Sequence, residues 1–448
     1  MQGPEQAQEI VERLVERGMA AGATAADALY AGERSSSVQV RLGETESVSR
    51  SEGEEIGLRL FVGQRSATVA SSDLSDEALG VLVERCVAMA REAPEDPYAG
   101  LAPPELLERG ELPFLDGYEA QEPDPAELRA TALEAEKAAL AVAGVTNSSG
   151  CSSGASASTI ALATSGGFAG AYRTSGHNCT AVAVAGEGVS MQRDYAGHSA
   201  RHLDDLECAA EIGRKAGERA VGRLNPGRPR PGKYPVIFDD RVSSTLLGHF
   251  CGAITGSSIA RKTSFLRDRL GQAVVAPGVT IVDDPLRLRG LRSRPFDGEG
   301  VHVSRQELVS NGTLNQWIAD SASARQLGIQ PTGHAARRVG GAPGASPSNL
   351  YMEPGPCSRA ELLASVPEAV LVVELIGQGV NGVTGDYSRG AVGFMVRGGA
   401  IAEPVAEITI AGNLLDMFAT LQPASDLEFR RGVDAPTILI PEMTVAAA

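Results

Sequence analysis

The sequence predicts an α+β protein, with helix-flanked antiparallel sheets in the N-terminal half and a β-rich C-terminal domain. Three observations carry this. Stretches with helical spacing bracket runs of strand-like segments instead of alternating with them, which favours adjacent hairpins over β-α-β crossovers. The run NPGRPRPGK (225–233) cannot continue the helix before it, and strand-like sequence restarts at Tyr234. Glycine reaches 52 residues while aromatics make up only 4%, a composition suited to close backbone packing and tight turns.

At 448 residues the chain exceeds what one core usually holds, so two parts are expected, 1–224 and 234–448. Residues 5–20 predict a first helix, since Ile10, Val11, Leu14, Val15 and Met19 form one stripe. Strand-like segments follow at Ala26–Ala31, Ser37–Leu42, Ile56–Val62 and Ser66–Ser71, with Gly63–Gln64 suited to a hairpin turn. Asp76–Glu92 returns to helical spacing, and Pro94–Pro125 is a proline-rich, acidic connection. The same order then repeats: a helix at 125–143, strands near 155–164, 168–174, 178–185 and 189–194, and a helix over 203–222. Such a repeat suggests a duplication, about 1–110 and 111–224.

The second part opens on a strand at Tyr234–Asp239. Next, Val242, Leu246, Leu247, Phe250, Cys251 and Ile254 recur at spacings of three and four, an amphipathic helix that Gly256 ends. Strands at Val301–Val309 and Thr313–Ile318 flank Asn311–Gly312, a hairpin signal. Ala369–Ile376, Ala391–Val396 and Ala400–Ile410 continue the strands, with Gly398–Gly399 at a turn. A short helix at Ala411–Thr420 and a late strand at Pro436–Ile440 complete the pattern.

Composition narrows the function. A net charge of −16 and a pI near 5.0 oppose the phosphate neutralisation on which nucleic-acid affinity depends, so no direct nucleic-acid partner is expected. The six cysteines are scattered and form no CxxC, which fits free thiols in a reducing compartment. The first residues are acidic and amphipathic, unlike an export signal, and no apolar run approaches the ~20 residues of a membrane span. A soluble cytoplasmic protein with no membrane partner is expected.

Several constellations invite chemistry. His249 and Cys251 are two residues apart on a helix, so they face apart and suggest packing. Asp194, His198 and His202 have spacing suited to a shared metal, yet no glutamate follows as a base, and a solvated strand-to-helix connection is the default. In RPFDGEG (294–300), Arg294, Asp297 and Glu299 surround two glycines; the group is either a structural ion-pair turn or the lining of a cleft or partner face. GQGVNGVTGDYSRG (377–390) sets Asn381, Asp386 and Arg389 among five glycines. It lacks the order of a phosphate loop, and no helix follows its GxGxxG, so close approach of another chain or peptide backbone is the better reading. Ser264 beside Lys262 has the wrong spacing for a catalytic dyad.

The runs IARKTSFL (259–266), SRPFDGEGV (293–301), LIGQGVNGVTGDYSRGAVGF (375–394), EITIAGNLLDMF (407–418) and LEFRRGVDAPTILI (427–440) together resemble the PmbA/TldE branch of the TldD/PmbA family. The resemblance is densest over about 234–440. The TldD branch carries a zinc-type HExxxH motif on the helix equivalent to 241–254. With Leu246–Leu247 and Arg261–Lys262 set against its flanking residues, the first ligand position falls on Gly248, the catalytic glutamate on His249 and the second ligand on Ala253. The third TldD ligand, a cysteine, falls near Ala391. Glycine and alanine offer no metal donor. The resemblance therefore implies a chain that binds no cofactor itself and pairs with a TldD-type subunit, which supplies zinc, to act on peptides or unfolded polypeptides. A homodimeric peptide-binding scaffold and a self-sufficient hydrolase with an unrecognised site are the alternatives.

Overall fold

The computed structural model describes residues 1–447. Helix α1 (Pro4–Ala20), strands β1 (Ala25–Arg41), β2 (Glu44–Val62) and β3 (Arg65–Ser71), and α2 (Asp76–Glu92) form a first unit. The order helix, three strands, helix then recurs as α3 (Pro125–Leu140), β4 (Val145–Thr164), β5 (Phe168–Ala185), β6 (Gln192–Ala200) and α4 (Ala209–Gly222). All six strands join one antiparallel sheet, ordered β3-β2-β1-β4-β5-β6, in which β1 and β4 pair at the centre.

Strand periodicity assigns the two faces of this sheet. Ala26, Ala28, Tyr30, Val38 and Val40 of β1 pack under the helices, as do Ile56, Leu58 and Leu60 of β2. Leu29, Ile160 and Leu162 face the opposite way, onto Phe296 and Val301 of the C-terminal part. Helix α3 starts where Asp124 and Glu127 form a reciprocal capping box ahead of Pro125. Helix α4 lies against it so closely that a Cβ on Gly213 would stand 1.9 Å from the Ala135 carbonyl oxygen.

Four predicted strands per unit are three in the structure. Ala26–Ala31 and Ser37–Leu42 fuse into β1, and 168–174 and 178–185 fuse into β5. The ladder runs unbroken through Glu33–Ser37 because β2 and β4 flank it on both sides. Likewise Glu44–Ser51 of β2 is exposed throughout, so no apolar alternation marks it. The last helix of the half begins at Ala209, after a short 3-10 turn at Leu203–Asp205.

Strand β7 (Gly232–Phe238) starts the C-terminal part and leads into α5 (Asp240–Ala253), which Asp239 caps, and the short α6 (Gly256–Ala260). A minor sheet comprises β8 (Ile281–Asp283), β9 (Gln306–Ser310) and β10 (Thr313–Leu314), extended by β13 (Leu350–Met352) and β18 (Val433–Asp434). The β9–β10 turn has Asn311 and Gly312 both at positive φ, 47° and 82°, a conformation that asparagine tolerates and glycine, without a Cβ, adopts freely. Next come α7 (Ser321–Leu327), the paired β11 (Ala335–Ala336) and β12 (Gly344–Ala345), β13 (Leu350–Met352) and α8 (Arg359–Ala364). Strands β14 (Glu368–Ile376), β15 (Asp386–Arg397) and β16 (Ala400–Asn413) are followed by α9 (Leu414–Thr420), β17 (Gln422–Pro423), β18 (Val433–Asp434) and β19 (Ile438–Ala447).

The sheet β16-β15-β14-β7-β19 closes on itself through pairing of β16 with β19, making a barrel. Alternate residues of β7 divide its two cores. Val236 and Phe238 pack with Leu246, Leu247 and Phe250 of α5, whereas Ile237 packs with Leu362 and Leu363 of α8. The fold is thus α+β, with helix-layered antiparallel sheet first and a β-rich barrel domain second.

Two buried ionic clusters join the parts. Asp194 on β6 receives Arg241 Nη2 at 2.5 Å and Arg223 Nη1 at 3.3 Å, and Arg223 also reaches Glu374 on β14 at 2.6 Å. On the other side of the sheet, Asp27 receives Arg59 Nε at 2.8 Å and pairs with Arg337. Replacing Gly213 by alanine is expected to force α3 and α4 apart and to cost roughly 1–3 kcal/mol, read as a lower midpoint in denaturant unfolding at unchanged secondary structure.

Candidate functional site

The face of α5 turned away from its core is bare. Gly248 and Gly252 are exposed, and a Cβ at either would meet nothing within 4 Å. Between them His249 turns back toward β15, its ring 6.1 Å from that of Tyr387 in an edge-on arrangement. Alternation along β15 puts Tyr387, Arg389 and Ala391 on one buried face, with Ser388 exposed between them. The positions singled out in the sequence therefore come together: Gly248, His249 and Ala253 from the helix, Arg389 and Ala391 from the strand.

Polar atoms in this cluster lack partners. His249 Nε2, the Tyr387 hydroxyl and Arg389 Nε are buried with no hydrogen bond. The Arg389 guanidinium lies beside the Tyr387 hydroxyl without the geometry of a hydrogen bond. Burial pushes the Tyr387 hydroxyl up to about 12, against the pull of Arg389. Burial, with the Arg389 charge second, lowers the His249 pKa, so the imidazole is neutral at pH 7.

A catalytic zinc needs three protein donors and an open position. Of the four positions here only His249 carries a donor atom, and among the described residues no group of three His, Cys, Asp or Glu side chains is placed to share an ion. The residues do not fit a zinc centre. The spacing of Asp194, His198 and His202 does not produce one either. His198 lies in β6 and accepts from the Glu207 amide at 3.0 Å, His202 Nε2 lies 2.9 Å from the Asp116 carbonyl oxygen, and Asp194 is held by its two arginines. Ser264 is buried and donates to the Ala253 carbonyl at 2.6 Å, so it has a structural partner.

The glycine-rich loop before β15 borders the bare face. It folds back so tightly that a Cβ on Gly379 would stand 2.0 Å from the Ser388 carbonyl oxygen. Asn381 and Asp386 are exposed, but their oxygens serve the loop itself: Asn381 Oδ1 accepts from Val383 N at 2.9 Å, and Asp386 Oδ2 accepts from Thr384 Oγ1 at 2.6 Å. The Phe265 amide donates to the Gly382 carbonyl at 3.0 Å, tying the segment with Arg261 and Lys262 to the same rim.

Arg294, Asp297 and Glu299 lie elsewhere, in the seam between the parts. Asp297 Oδ1 accepts from the amides of Glu299 and Val301 at 2.8 and 2.9 Å, and its Oδ2 from the Ala335 amide at 3.0 Å. Glu299 Oε2 accepts from the Ser321 amide and hydroxyl, with Arg59 4.0 Å from Oε1. Arg294 donates to the carbonyls of Ala335 and Ser346. These bonds are those of a structural turn, and Arg294 and Asp297 also line a cleft with Tyr172, Phe296 and Arg337. The sequence pattern does not single out Tyr387, although the alternation from Asp386 to Ala391 puts it on the same face of β15 as Arg389.

A helix-layered antiparallel sheet joined to a closed barrel, with one helix and one barrel strand meeting at a bare face, defines the chain as a two-part α+β protein. Residues 26–90, 118–224 and 231–447 match the first, central and C-terminal domains of the PmbA/TldA metallopeptidases, and the chain belongs to this PmbA/TldD family. It is 38% identical to Metalloprotease PmbA of Escherichia coli O157:H7, over 92% of this chain and 89% of that one. Identity to the Metalloprotease PmbA homolog of Haemophilus influenzae is 36% over the same shares. In structure it is similar to TldE from Thermococcus kodakarensis, with a TM-score of 0.88 at 20% identity over 97% of this chain and 99% of that one. No helix among the described residues is long and apolar enough to cross a membrane.

Glu299 supplies a pH signature of the seam. Burial, and next the neighbouring Asp297 carboxylate, raise its pKa to about 7 from an ordinary 4.5. The folded chain then binds more protons than the unfolded one between those values, so Glu299 makes stability fall as pH rises from 4.5 to about 7. The slope from one such group is at most about 1.4 kcal/mol per pH unit. Glu299→Gln, which keeps an acceptor for Ser321, is expected to flatten that fall in chemical denaturation measured across the interval.

Proposed function

We propose that this chain is the non-zinc-binding, TldE-type subunit of a two-chain peptidase whose TldD-type partner supplies zinc, the glutamate base and the attacking water. The observation that carries the reading is the donor-poor face: glycine, alanine and alanine stand at three of the four positions where a zinc centre would need ligands or a base, and His249 is turned toward Tyr387. Family membership and a TldE-like fold support it. In this account the bare face of α5 and the loop at 377–386 form one wall of a chamber that the partner completes. The missing side chains at 248 and 252 leave room for a peptide backbone, and main-chain pairing tolerates varied sequence. Unfolded or leader-like peptides in the cytoplasm are the substrate class.

The experiment is reconstitution. The purified chain alone is expected to hold no stoichiometric zinc and to leave an unstructured peptide intact. Mixed with a TldD-type subunit it should co-elute as a complex and cleave that peptide, with loss of activity on chelation. Cleavage by the lone chain that survives a chelator would overturn the assignment.

A further inference from the structure

Arg389 is 8% exposed and its Nε is buried without a partner. Arg173, Arg223, Arg294 and Arg337 also carry a buried Nε without a partner, but each has an aromatic ring, a carbonyl or a carboxylate for its guanidinium, and among the described residues Arg389 has none of these. Among the described residues no carboxylate lies within ion-pairing range, although acids outnumber bases by 56 to 40. The other buried arginines behave differently. Arg59 has Asp27, and Arg223 and Arg241 share Asp194. A buried guanidinium without an anion is costly, and β15 fixes this one in place through its pairing with β16, where Arg389 stands opposite Ile410.

The surroundings specify what would complete it. Tyr387 and His249 add further polar groups with no partner, and both are neutral at pH 7. At the rim, Arg261 and Lys262 are exposed, and neither is paired with a carboxylate among the described residues. The backbone at Gly248 and Gly252, on either side of His249, has open space where a side chain would stand. One buried cation with neutral donors suits a monoanion, and the planar fork of arginine matches the two oxygens of a carboxylate.

We propose that Arg389, with Tyr387 and His249, forms a recognition site for a peptide carboxylate on the open face of α5. The site selects among peptides by charge and does no bond-breaking itself. It rests on the peptidase-subunit reading only for the origin of the peptide; the anion chemistry belongs to this chain alone.

The test uses the full chain by itself. Acetyl-trialanine, its C-terminal amide, acetyl-Ala-Glu-Ala-amide and inorganic phosphate are titrated separately by calorimetry. A carboxylate-bearing peptide is expected to bind roughly 10- to 100-fold more tightly than the neutral amide, and whichever acid binds identifies a terminal or a side-chain carboxylate as the source. Arg389→Met should abolish the difference, and Arg389→Lys should keep part of it. Because it removes an unpaired buried charge, Arg389→Met should also raise the Tm of the free chain by a few degrees; a structural arginine would give a fall. Equal affinity for acid and amide, binding of phosphate but of neither acid, or a lowered Tm would overturn the proposal. So would an Arg389→Met chain that keeps its preference for acids but no longer assembles with a TldD-type subunit. Absence of any such assembly with the wild-type chain would instead defeat the subunit reading and leave the titration standing.

Discussion

Asp194, clasped between Arg223 and Arg241, is the contact on which the rest of the geometry depends. Arg241 belongs to the first turn of α5, Arg223 follows the end of α4, and Asp194 comes from an edge strand of the six-stranded sheet. One buried carboxylate thus fixes the start of the helix that carries the bare face. The two guanidiniums hold its pKa below the usual carboxylate range against the opposing effect of burial. Removing one member of such a group is far more damaging than the group's net stabilisation would suggest, because the remaining charges are left buried and unpaired. Asp27 performs the same service on the opposite face of the sheet. These two points hold two separately packed cores in one orientation, and the seam motif RPFDGEG fills the space between them.

How much of this could be read from the residues follows from what each segment buries. Helices α1, α2, α3 and α5 declare themselves, since each turns an apolar stripe to a core. The barrel strands β14, β15 and β16 do so too, being rich in branched apolar residues with Gly398–Gly399 at a turn. The long strands of the first half are harder, because their middle sections are serine, glycine and acid. There the ladder is sustained by neighbours on both sides, and a strand reading based on side-chain alternation breaks β1 and β5 in two. Barrel closure is invisible for a related reason: pairing of β16 with β19 is a property of registry between distant segments.

The candidate site is legible by subtraction. Setting the helix against the TldD pattern located Gly248, His249, Ala253 and Ala391, and the structure brings those positions onto facing elements. Sequence could not distinguish a satisfied charge from an unsatisfied one. Asp297, Glu299, Asp386 and Arg389 look alike as charged residues among glycines, yet the first three have partners within the chain and the last has no ion-pair partner among the described residues. Only the identity of each neighbour, set by folding, separates a structural turn from an unpaired cation.

Closure of the barrel has a further consequence for biogenesis. β19, at residues 438–447, bridges β7, at 232–238, and β16, so the ring remains an open sheet until sequence some 200 residues downstream of β7 has emerged from the ribosome. Contacts of such separation form slowly and leave hydrophobic strand edges uncovered meanwhile. The helix-layered half closes sooner, since its central pairing of β1 with β4 needs sequence only as far as Thr164. Translation therefore presents the helix-layered half first, with Asp27 and Asp194 in position, and the charged seam is completed only when Arg241 and Arg337 of the later domain reach them.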